Sequence, residues 1–136
     1  MSYFITKLTD LNFEQAIDRI TMTLQTEGFG ILTDIDVKAT LKQKLDVDFK
    51  NYRILGACNP HFAYEAFQVE DKIGTLMPCN VTVIEQESGK VEIAVMDPTT
   101  ALNVVENEEL QPYAHEIKQK LERCLNLLDK EENPDY

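Results

Sequence analysis

Apolar residues recur at spacings of three and four through Phe13, Ala16, Ile17, Ile20 and Leu24, the signature of a helix with one buried face. Asn12 and Gln15 bracket its start as a capping box, and Gly28 supplies the stop. A short strand from Tyr3 to Leu8 precedes it. After Gly28 the period falls to two. Phe29, Ile31 and Ile35 share one side and Leu32 the other, which predicts a strand from Phe29 to Ile35 with one well-buried face. Asp36 then caps a weaker helix carrying Val37, Leu41 and Leu45.

The stretch Tyr52 to Cys58 puts Ile54, Leu55 and Ala57 on both faces, so it reads as a largely buried strand. It ends at Asn59-Pro60, a preferred cap followed by a preferred first helical residue, and Phe62, Ala63, Ala66 and Phe67 continue the helix. Two further strands, Leu76 to Glu85 and Lys90 to Met96, flank the polar turn Gln86-Glu87-Ser88-Gly89 as a hairpin. Val81 and Val83 face one way, as do Val91, Ile93 and Val95. Asp97-Pro98 closes the sheet, and Pro112 opens a long helix with an apolar stripe through Ile117, Leu121, Cys124, Leu125 and Leu128. The pattern is an α+β domain with a mostly antiparallel sheet and helices on one face. It spans residues 1–128, and an acidic, frayed tail follows over 129–136.

Charge narrows the range of partners. Thirteen Lys and Arg against 24 Asp and Glu leave the 136 residues at −11. Such a surface repels phosphate backbones and anionic lipid, so neither nucleic acid nor membrane is an expected partner. No apolar run is long enough to span a bilayer, and the first residues lack the pattern of a signal peptide. Three widely spaced cysteines, Cys58, Cys79 and Cys124, suit a reducing, cytoplasmic setting better than a disulfide framework.

Two Cys-Asn pairs at strand ends hold the candidate chemistry: Cys58-Asn59-Pro60 and Pro78-Cys79-Asn80. Cys58 precedes the capped start of a helix, whose unpaired N–H groups favour a thiolate; otherwise it is a small buried residue ending a core strand. Asn59 is accounted for by capping. His61 makes a C-x-x-H string with Cys58, and with Cys79 it would offer zinc or copper three ligands; no cofactor is expected unless that set converges. An exposed side chain in the first helical turn is the plainer account of His61, and His115 reads as solvated. Asp97 reads as a turn or helix-start residue, Arg53 as an ion-pair partner, Cys124 as packing. Phe62, Tyr64 and Phe67 read as core. No phosphate loop, dinucleotide fingerprint, nucleophile elbow or zinc-protease string is present.

The run from Tyr52 to Pro60, the later Leu76-Met77-Pro78-Cys79-Asn80-Val81 and then Asp97-Pro98 strongly resemble the domain-of-unknown-function 302 family. That resemblance implies a topology similar to one half of TATA-binding protein, with strand, helix, four strands and helix, and it implies a homodimer. It brings no established activity. The charge of −11 argues against carrying over a DNA-binding role. The reading that follows is a cytoplasmic, dimeric, non-enzymatic module holding a small ligand near Cys58, Asn59, Cys79 and Asn80. The alternative is thiol redox or soft-metal handling by Cys58 and Cys79. No catalytic residue is assigned.

Overall fold

A computed structural model describes residues 2–130. Its framework is one five-stranded sheet, made of β1 (Phe4–Thr9), β2 (Gly30–Asp36), β3 (Tyr52–Cys58), β4 (Cys79–Glu85) and β5 (Val91–Met96). The strands lie in the order β1-β5-β4-β3-β2, and every neighbouring pair is antiparallel. Helix α1 (Phe13–Thr26) follows β1, and α5 (Gln111–Asn126) comes last, so the expected order of strand, helix, four strands and helix is present. Between these elements lie α2 (Val37–Leu45), α3 (Pro60–Val69) and the short α4 (Pro98–Ala101).

Period-two alternation fixes which face of the sheet is buried. Val81 stands opposite Val95 and Val83 opposite Ile93, and together with Leu55, Ala57 and Val91 they form the floor of the core. The stripes of α1 and α5 close over that floor, with Ile20, Leu24, Leu121 and Cys124 fully buried. The capping box at Asn12 is made in both directions, Gln15 N–H to Asn12 Oδ1 at 2.9 Å and Asn12 N–H to Gln15 Oε1 at 3.1 Å. A smaller cluster of Ala66, Ile73, Leu102, Leu110 and Ala114 ties α3 to α5.

The structure corrects two details. β2 has no well-buried face: the register shifts between Ile31 and Thr33, so Ile31 lies opposite Ala57 on the core side while Ile35 lies opposite Ile54 on the other. One extra residue moves every later side chain to the opposite face. β4 begins at Cys79 rather than Leu76, because Asp71–Leu76 coils as a 3-10 helix and Pro78, after a cis Met77–Pro78 bond, has no N–H for the ladder. The chain beyond the last helix begins tethered. Asp129 accepts from the Thr9 hydroxyl at 2.6 Å, and Arg19 donates to the carbonyls of Leu128 and Lys130, both at 2.9 Å. The rest of the acidic tail lies outside the described residues.

Helices cover one face only. The other carries Phe4, Thr6 and Leu8 from β1, Ala94 and Met96 from β5, and the partly exposed Thr82, Ile84 and Ile54 from the central strands.

Candidate functional site

The two Cys-Asn motifs come together where β3 turns into α3. Cys79 opens β4 opposite Ala57, with Cys58 one step along β3, so the two cysteines are offset by one ladder position rather than directly paired, and both line one cavity at the strand ends. Asn59 caps α3 by accepting from the Phe62 N–H at 3.4 Å, and its amide donates to the Glu27 carbonyl at 3.3 Å. One side chain thus ties the start of α3 to the end of α1.

Around this junction is an apolar cavity of about 240 Å³. The strand ends contribute Ala57, Cys58 and Cys79, and α3 contributes Phe62, Ala63 and Phe67. Phe29 and Leu32 close it on the β2 side, and Gly74, Met77 and Pro78 on the other. Asn59 completes the wall, and no lining residue carries a charge. Pro78 is seated by a close approach. A Cβ on Gly56 would lie 2.8 Å from Pro78 Cγ and 2.2 Å from Thr33 Oγ1, so only glycine fits there.

Cys58 is half-buried, whereas Cys79 and Cys124 are buried; all three are free. Burial first, and the neighbouring Cys58 second, push the Cys79 thiol up to about 11, so it is fully protonated at neutral pH. Burial likewise pushes Cys124 up to about 12, and its Sγ lies 3.4 Å from the Thr23 carbonyl inside the core.

The other candidate residues do not converge here. Asn80 is exposed and opposite Gly56, and it lines a shallow concavity on the uncovered sheet face. His61 lines a separate polar cleft of about 380 Å³ between α1, α3 and α5, together with Glu27, Glu65, Tyr113, Glu116 and Lys120. Among the described residues no three His, Cys, Asp or Glu side chains are grouped to hold a metal ion, and Cys58, His61 and Cys79 are split between two cavities. Arg53 pairs with Asp34 at 3.1 Å, and Asp97 caps α4 and meets Lys118 at 2.9 Å, both as structural residues.

Sequence reasoning missed most of the cavity wall. Phe67 is half exposed, and Tyr64 projects outward, although both read as core. A partial signal lay in α3, whose apolar residues surround the helix instead of forming one stripe: Phe62 packs against both hydrophobic clusters, while Ala63 and Phe67 line the cavity.

No helix among the described residues is long and apolar enough to cross a membrane. No curated protein matches the chain. A solved structure similar to it is that of an uncharacterized conserved protein DUF302 from Bacillus stearothermophilus, with a TM-score of 0.88 and 26% identity over 94% of this chain and 99% of that one. The family model for the domain of unknown function DUF302 matches residues 4–128, nearly the whole span from β1 to the end of the core. The chain belongs to the DUF302 family.

Proposed function

We propose that the cavity between β3, α3 and the Met77-Pro78 turn is a binding site for a small apolar molecule, and that the protein is a non-enzymatic binding module. The observation that carries this is the wall: twelve residues, none charged, around about 240 Å³ that opens to the surface. An unfilled apolar void forfeits dispersion contacts along its whole lining, so an apolar occupant gains contact without displacing any satisfied polar group. Cys58 and Cys79 serve this site as wall. A thiol held near 11 by burial contributes almost no thiolate at neutral pH, which disfavours the pair as a redox couple. Three free thiols also suit a reducing compartment.

The test is a xenon titration followed by nuclear magnetic resonance. Shifts confined to Ala57, Ala63, Cys79 and their neighbours, and abolished in Ala63→Leu, are the expected result. A titration in which those residues do not respond sinks the reading.

We further propose that two copies pair through the uncovered sheet face. On a chain of net charge −11 this face carries no Lys or Arg and one carboxylate, Glu92, whose oxygens already accept from Thr6 at 3.0 Å and Gln86 at 2.8 Å. Two such faces meet without like-charge repulsion, and the missing cations disfavour nucleic acid as the occupant.

A further inference from the structure

We propose that the ligand of the cavity is an uncharged molecule built on a single aromatic ring; this rests on the reading of the cavity as a binding site and names the chemistry it selects. Size comes first. A water molecule's share of liquid volume is about 30 Å³, so about 240 Å³ has room for roughly eight water-sized groups, one ring with a short substituent. That is less than drug-sized ligands require.

The wall decides between a flat ring and a saturated one. Phe29, Phe62 and Phe67 come from three different parts of the chain, the turn after α1 and the first and last turns of α3, and all contribute to the same cavity. Aromatic rings prefer one another in offset or edge-to-face contact, each pair favouring the aromatic guest by roughly two- to tenfold beyond its area. The remaining soft atoms are sulfurs, from Met77, Cys58 and Cys79, which also pack favourably against ring edges.

Charge is excluded by the same inventory. Asn59 is the one lining residue with a strongly polar side chain, and both ends of its amide are already used, in the α3 cap and at the Glu27 carbonyl. An ionised ligand group seated among these residues would lose its water without gaining a partner. An anion is disfavoured further, since the neighbouring cleft behind Asn59 and Phe62 holds Glu65 and Glu116 in addition to Glu27, the last being paired with Arg123 and Lys120. Negative potential there is already felt by Tyr113, whose phenol is pushed up first by the hydrogen-bonding pull of Glu65 and then by its charge.

The experiment compares benzyl alcohol, cyclohexylmethanol and benzoate by titration with nuclear magnetic resonance detection, each dissociation constant being corrected for the probe's water-to-octanol transfer. Benzyl alcohol should bind two- to tenfold tighter than cyclohexylmethanol on that scale, and benzoate at least tenfold more weakly than benzyl alcohol. Phe67→Leu, at a half-exposed position that tolerates the change, should bring the ratio of benzyl alcohol to cyclohexylmethanol affinity closer to one. Equal or reversed affinities for the two alcohols, or binding of benzoate as tight as that of benzyl alcohol, overturn the ligand class but leave an apolar binding site standing. If neither alcohol binds at millimolar concentration, both readings fall.

Discussion

Asn59 holds two helix ends with one side chain, and its removal has two separable effects. Asn59→Ala should cost about 1 kcal/mol in urea or thermal unfolding through loss of the α3 cap, while Asn59→Asp, which keeps the cap acceptor but loses the donor to the Glu27 carbonyl, should recover only part of it. A midpoint unchanged in the alanine variant would mean that the cap contributes nothing. Cysteine accessibility gives a second prediction at this scale. At pH 8, iodoacetamide followed by mass mapping should label Cys58 well ahead of Cys79 and Cys124, because those two are buried and their thiols lie near 11 and 12. Rapid labelling of Cys79 in the folded protein would contradict its burial at the start of β4. Both features of Asn59 and its flanking residues were half legible in the sequence. The cap follows from Asn-Pro chemistry, which is local, whereas the bond to the Glu27 carbonyl spans 32 residues and depends on how α1 and β3 end side by side.

Elements were read well where burial and periodicity agree, and less well where they part. The core strands and α1 and α5 bury one stripe each, so their spacing announced them. β2 does not, because a bulge at Leu32 reverses its facing midway, and hydrophobicity alone cannot report a register shift. Gly56 in β3 is another residue whose role only the neighbours reveal. Gly56→Ala should destabilise by about 1–3 kcal/mol, since the methyl must displace Thr33 and the Pro78 ring, and it should also alter ligand affinity because Pro78 lines the cavity. Wild-type stability in urea would show that the strands can part there at no cost. At the junction of β5 and α4, burial alone would raise the Asp97 carboxyl. Hydrogen bonds from Thr99 and Lys118, with the Lys118 charge, outweigh it and hold the group below its ordinary range. A folded pKa below the unfolded one gives stability that is complete above about pH 4 and lost as pH falls through the folded value. Asp97→Asn keeps a capping oxygen but drops the charge, so it should cost about 1–2 kcal/mol at pH 7, with the gap to wild type closing below pH 4. A gap that persists unchanged at pH 2 would assign the loss to packing.

For the whole molecule, the sheet has one face sealed by α1 and α5 and one left open. Sedimentation at micromolar concentration should give about twice the chain mass, and Ile54→Lys, which places a cation in the middle of the open face, should return the monomer with its fold intact. A wild-type monomer at high micromolar concentration would leave that face without a partner copy.

The bulge at Leu32 bears on how far such assembly can go. β2 is an outermost strand, and a straight outermost strand offers unpaired N–H and C=O groups on which further chains could add one after another. Here the kink interrupts that row, and Asp34 and Asp36 follow it, so an incoming strand would meet broken spacing and two carboxylates. The same irregularity that hid β2 from the alternation pattern therefore protects the protein against runaway polymerisation.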